Sequence, residues 1–145
     1  MSTSLKELQP EFMDKAEKAF KAMKADGILR SLGVESIAVS ETRRALAVQM
    51  AYYSRGRMRN EDVKAMYNAA GLYEPSAEEC RTYNTWTLES KHLQGLAVDL
   101  VPVRNGGYWW KAPAEVWERM GEIGRSYGMK WGGDWRNRDC PHFEA

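Results

Sequence analysis

At 145 residues, with 43% hydrophobic and 28% charged side chains, the chain has the length and composition of one globular domain with one core, 1–145, and no room for two enzyme domains. Lys and Arg number 21 against 20 Asp and Glu, which excludes a global field that would draw the protein onto nucleic acid or an anionic membrane. No apolar run is long enough to span a bilayer, and the start MSTSLKELQPEF lacks the basic and apolar regions of a signal peptide, so a soluble, cytoplasmically made product without membrane insertion is expected. Two cysteines far apart in sequence, Cys80 and Cys140, predict reduced thiols rather than a disulfide framework.

In chain order, Phe12, Ala16, Ala19, Phe20 and Met23 recur at helical spacing and predict an amphipathic helix over Pro10 to Ala25, with Gly27 after its end. Glu35 to Val39 alternates and is β-branched, which predicts a strand running into a polar turn at Ser40 and Glu41. A second helix is expected from Arg43 to Arg55, stopped by Gly56, and a third from Glu61 to Ala70, stopped by Gly71. The segment from there to Glu89 reads as a polar, irregular loop, of the kind that serves as a lid or binding loop. Leu96 to Val101 reads as a strand interrupted by Asp99. After the turn-like Asn105, Gly106 and Gly107, Pro113 opens a helix whose stripe is Val116, Met120, Ile123 and Tyr127. Met129 to Trp131 and His142 to Glu144 read as short strands, and the whole order predicts an α+β fold with a small antiparallel sheet flanked by helices.

The chain has two histidines, each near a carboxylate: His92 with Asp99, and His142 with Asp139. A catalytic zinc takes three protein ligands and leaves one position open, a count that His92, Asp99 and His142 supply. An ionised Asp99 inside an apolar strand is costly without a partner, and a metal would neutralise it; pairing with one of the 21 Lys and Arg, with His92 a polar loop residue, is the even alternative. Gly95 permits a bend that returns His92 toward Asp99. Pro141 forces an extended or turn backbone between Asp139 and His142, so both can face one site, with Asp139 as general base and Asp134 and Glu144 as rivals. Cys140 is a possible fourth ligand, which would close the site and make it structural.

Ser90-Lys-His92-Leu-Gln-Gly95-Leu-Ala97-Val-Asp99 has the form S-x-H-x-x-G-x-A-x-D. With Trp131-Gly-Gly-Asp134-Trp135 and the D-x-x-H of Asp139 to His142, it resembles the two signatures of the D-alanyl-D-alanine carboxypeptidase family, which also holds D-Ala-D-Ala dipeptidases and L-alanyl-D-glutamate endopeptidases. Arg44, Gln49, Tyr53, Gly56 and Arg57 resemble a third family segment, R-S-x-x-x-Q-x-x-x-Y-x-x-G-R, with Ala45 where Ser is usual. The resemblance runs from about Val39 to the end, departing from the pattern in a Trp135-to-Asp139 connection about one residue short and in Cys140.

That resemblance implies a Zn2+ held by His92, Asp99 and His142, Asp139 as general base, Arg44 binding a substrate carboxylate or stabilising an oxyanion, and Ser90 contacting substrate or supporting the ligand shell, with Arg43 a rival for Arg44. It implies peptidoglycan stem peptides as substrate. An L-alanyl-D-glutamate endopeptidase of phage endolysin type is expected, a monomer made in the infected cell that meets the wall in the periplasm after release. A D,D-carboxypeptidase or dipeptidase is the same-class alternative, and a non-catalytic, zinc-stabilised wall-binding module closed by Cys140 the alternative from another class. The basic Arg136, Asn137 and Arg138 are bracketed by Asp134 and Asp139 and carry no nucleic-acid motif.

Overall fold

The computed structural model describes residues 2–145. Helix α1 spans Pro10–Ala25, with Pro10 in the first turn where its missing N–H costs nothing, and it buries Phe12, Ala16, Ala19 and Met23. Its end is not a turn at Gly27: Asp26 caps a short second helix, α2 (Gly27–Ser31), by accepting from the Leu29 N–H at 2.9 Å. Strand β1 (Ser36–Glu41) runs two residues beyond the expected end, through the polar pair that reads as a turn. Helix α3 (Leu46–Ser54) begins three residues later than the sequence pattern suggests. Residues 43–45 are held out of the helix, because the Arg44 N–H donates to the His92 carbonyl at 3.1 Å and Ala45 is extended.

Helix α4 (Asn60–Ala69) follows, and the segment expected to be irregular contains α5 (Ala77–Arg81), a single turn and a half closed by a capping box between Ser76 and Glu79. These three helices pack around Ala51, Val63, Tyr67 and Cys80, a small core of their own. Strand β2 (Ala97–Arg104) continues through Pro102 and turns at Asn105 and Gly106, both with positive φ (54° and 74°), into β3 (Gly107–Tyr108). Helix α6 (Ala114–Ser126) precedes β4 (Lys130–Trp131) and β5 (His142–Glu144).

The sheet is antiparallel, in the order β1-β2-β5-β4 with β3 beside β2, so the fold is α+β as the sequence predicts. Its two faces divide the labour. Val98, Leu100, Trp131 and Phe143 turn into the main core with α1 and α6. Helix α6 reaches the sheet through two glycines: a Cβ at Gly121 would lie 2.4 Å from the Trp131 ring, and one at Gly124 would lie 2.3 Å from Phe143. The alternate positions face the other way. Asp99 pairs in register with His142 on one side and with Glu41, past a β-bulge, on the other, so three adjacent strands carry these side chains in one row.

Candidate metal centre

His92 reaches this row from a 3-10 turn, Lys91–Gln94, whose first N–H groups are organised by Ser90; its hydroxyl accepts from the His92 N–H at 3.3 Å. The turn ends at Gly95 in the left-handed conformation, φ 70°, and a Cβ there would lie 3.1 Å from the Glu7 carbonyl. That is the bend expected to bring the imidazole back toward Asp99. His92 Nε2 lies 3.2 Å and His142 Nδ1 3.3 Å from the same oxygen, Asp99 Oδ1, and the donor atoms of the three side chains lie within 4.8 Å of one another. Both imidazoles are buried.

The outer nitrogens fix which ring atoms can bind a cation. His92 Nδ1 is 2.6 Å from the Thr42 carbonyl, which can only accept, so Nδ1 carries the proton and Nε2 presents a lone pair to the centre. His142 Nε2 is 2.8 Å from the Glu144 carboxylate, so Nε2 carries the proton and Nδ1 faces inward. Two lone pairs and an anionic oxygen thus meet at one point, an arrangement that repels itself unless a proton or a metal ion stands between them. Without a metal the protein leans on protons: despite burial, hydrogen bonds from both histidines hold Asp99 well below the usual carboxylate range. Burial opposes charge on His142, yet Asp99 and Glu144 together raise its pKa. A divalent cation would replace those protons, so the donor set, its geometry and its outer hydrogen bonds fit a metal centre.

Asp139 stands beside it. Its Oδ2 is 3.9 Å from His142 Nδ1, half of its side-chain surface is open, and desolvation at the cleft wall together with the Asp99 carboxylate pushes its pKa up. The Asp139 N–H donates to the Gly132 carbonyl at 2.9 Å, closing the Gly-rich connection into a tight bend. The rivals for its place have other partners: Asp134 pairs with Arg125 at 2.7 Å, and Glu144 orients His142. Cys140 is not in the three-residue cluster found among the described residues; it packs partly buried against the main core, and its carbonyl takes the Trp131 indole N–H at 2.7 Å.

The centre opens into a cleft of about 990 Å³ between the sheet and the α3–α5 helices. Arg44 lines it, while Arg43 is solvent-exposed and does not. The Arg44 guanidinium is gripped by both oxygens of the buried Glu41 and by Gln49 Oε1 at 2.6 Å, and it lies 5.1 Å from the Tyr52 ring centroid. In the sequence Glu41 reads as a turn residue and Glu144 only as a candidate base. The alternation Glu41-x-x-Arg44 beside a strand was the available signal for the first, and the i, i+2 spacing from His142 on one strand face was the signal for the second. Trp135, tilted against His142 with ring centroids 4.9 Å apart and planes inclined at 47°, is a further residue of the site to which the sequence assigns no role.

An α+β sheet that presents two imidazoles and a carboxylate to an open cleft, with a further carboxylate alongside, has the donor set of a hydrolytic metal centre. Residues 83–145, the segment carrying all four of these side chains, match the family model described as D-alanyl-D-alanine carboxypeptidase. Solved structures share the fold. The L-Ala D-Glu endopeptidase ChiX of Serratia marcescens superposes with a TM-score of 0.57 at 24% identity, covering 97% of this chain and 81% of its own. The vancomycin-resistance D,D-pentapeptidase VanY from a VanB-type cassette, determined with Zn(II), gives 0.54 at 18% identity, covering 94% of this chain and 71% of its own.

Proposed function

We propose that the protein is a zinc-dependent peptidase that hydrolyses peptidoglycan stem peptides, cutting the L-Ala to D-Glu bond. The observation that carries this reading is the pairing of a three-donor centre with a further carboxylate, Asp139, beside it in a cleft large enough for a branched peptide. His92, Asp99 and His142 would hold the zinc. When bound there, zinc supplies Lewis acidity toward a scissile carbonyl and acidifies water near neutral pH. Asp139 Oδ2 takes the proton of the attacking water and returns it to the leaving amine, a role suited by its raised pKa. Arg44, immobilised by Glu41 and Gln49, offers a fixed cationic edge to a substrate carboxylate or to the developing oxyanion. Ser90 supports the shell by organising the turn that carries His92.

No helix among the described residues is long and apolar enough to cross a membrane. We place the protein as a monomeric endolysin of phage type, made inside the infected cell and reaching the wall once the membrane is breached. The ChiX likeness supports the endopeptidase bond, and the VanY likeness keeps a D,D-carboxypeptidase as the second reading. Mass spectrometry of fragments released from purified Gram-negative peptidoglycan separates them. The endopeptidase yields new L-Ala carboxyl and D-Glu amino ends that vanish with Asp139→Ala and with a chelator. Release of D-Ala alone selects the carboxypeptidase, and no fragment with zinc restored overturns both.

A further inference from the structure

One wall of the cleft is not explained by the chemistry. Trp86 lines it at 68% exposure, and Tyr83 beside it is 51% exposed. Their ring centroids are 5.0 Å apart with planes inclined at 37°. So much aromatic surface left in water is unfavourable unless something covers it. Nor is it a loose loop tip. Gln49, itself fully buried, donates from Nε2 to the Thr87 carbonyl at 2.7 Å. Arg57 donates from Nη1 to the carbonyls of Tyr53 at 2.7 Å and Thr85 at 3.1 Å, and its guanidinium carbon sits 3.8 Å from the Tyr53 ring centroid and 4.8 Å from that of Tyr83. Gly56, at φ +74°, lets Tyr83 lie so close that a Cβ there would be 2.9 Å from its ring. The same Gln49 also holds Arg44, so the aromatic wall and the catalytic wall are braced by one side chain.

We propose that Trp86 and Tyr83 form a saccharide platform that stacks an N-acetylated hexosamine of the glycan strand to which the stem peptide is joined. This inference rests on the peptidoglycan reading above. The class of ligand follows from the surface. A hexopyranose presents an apolar face of C–H bonds carrying partial positive charge, which complements the negative face of an indole or phenol ring. Its rim of hydroxyl and acetamido groups needs polar neighbours, and Asn84, Thr85 and Thr87 line the same wall. Trp86, with Tyr83 packed beside it, lines the same cleft as His92, Asp99 and His142, so one substrate carrying both sugar and peptide can reach both. Rigid aromatic side chains held in place lose little entropy on binding, which suits recognition of a repeating wall polymer.

The test uses the zinc-loaded full chain and two readouts. In the first, N-acetylglucosamine trimer, a peptide-free probe, is titrated while the indole N–H signals are followed by NMR, with the Trp86 signal assigned by its absence in Trp86→Phe. The expected result is a saturable shift of the Trp86 signal with the Trp110 signal unmoved. In the second, kcat/KM is measured on a stem peptide with and without its attached sugar. Wild type should prefer the sugar-bearing form by about tenfold, the scale of one interface aromatic, and Trp86→Ala or Tyr83→Ala should bring that ratio near one. Trp110→Ala, which removes an exposed aromatic outside the cleft, should keep the wild-type ratio. An unmoved Trp86 signal, or an unchanged ratio in Trp86→Ala, overturns the platform while leaving the peptidase standing. A shifted Trp86 signal with no hydrolysis of either substrate overturns the peptidase while leaving the platform. A preference lost equally with Trp110→Ala overturns the assignment to this wall.

Discussion

Gly132→Ala tests whether the bend between β4 and β5 sets the chemistry. Gly132 needs no unusual backbone angle, so space alone decides the outcome. A methyl at this position would lie 2.4 Å from the Asp139 carbonyl oxygen and 3.1 Å from both the Asp139 and the His142 Cβ atoms. The nearest of these is backbone, so no rotamer change relieves the clash. Restoring the shortest tolerable separation, 3.0 Å, requires the Asp139 to His142 bend to retreat by about 0.6 Å. A displacement of about 1 Å at a reacting group can cost about 100-fold, so kcat/KM on a stem peptide should fall by roughly 10- to 100-fold at saturating zinc. Zinc affinity, read by competition with a chromophoric chelator, should weaken with it because His142 moves too. The thermal midpoint should fall only by the few degrees that about 1–3 kcal/mol of overpacking implies. Wild-type kcat/KM and wild-type zinc affinity, each within about twofold, would refute the argument that this glycine places base and ligand together.

Three further outcomes follow from the same geometry. Glu144→Gln keeps the shape of the His142 partner but loses its charge, so the zinc dissociation constant should rise by about 10- to 100-fold in chelator competition while the fold, followed by circular dichroism, stays intact. Gly124→Ala drives a methyl into the Phe143 ring, so its main effect should be a loss of about 1–3 kcal/mol of unfolding free energy, read from urea titration, with the bond cleaved unchanged. The third concerns acid. Asp26 accepts from Arg119 at 2.8 Å, and that hydrogen bond holds the carboxyl below its ordinary value of 3.8. A depressed folded-state pKa means fewer protons bound in the folded state than in the unfolded chain, so this contribution is present above about pH 4 and is lost as pH falls through the depressed value. Urea titrations across pH should therefore show Arg119→Ala destabilised near neutrality and converging on wild type in acid; a constant gap across that range would count against the linkage.

What was legible in the sequence is what depends on spacing along the chain. Helix α1 carries its own apolar period and a proline at its start, and its limits match residue for residue. Asp99 breaks an apolar strand pattern, and that local violation marks the centre in the sequence itself. What was illegible depends on partners remote in sequence. Helix α3 loses its first turn because the Arg44 N–H is claimed by His92, 48 positions later, and propensity holds no record of that bond. Glu41 reads as a turn residue until β1 pairs with β2 and sets it beside Asp99. Two short helices do leave a local mark: Asp26 is an N-cap residue type directly ahead of α2, and Ser76 three before Glu79 is the capping-box spacing that announces α5.

The row of Glu41, Asp99 and His142 has a consequence for how such a protein can change. Strand β5 lies between β2 and β4, so both of its edges are occupied and the chemical groups it carries cannot drift without dismantling the sheet. The facing wall, residues 82–90, is anchored at a few carbonyls and carries no strand. Short of Ser90, whose hydroxyl holds the turn that carries His92, side chains there can change without touching His92, Asp99 or His142. On the proposed reading, one reaction can thus be kept while the surface facing it is exchanged, and a laboratory library confined to residues 82–89 would search specificity while leaving His92, Asp99, Asp139 and His142 alone.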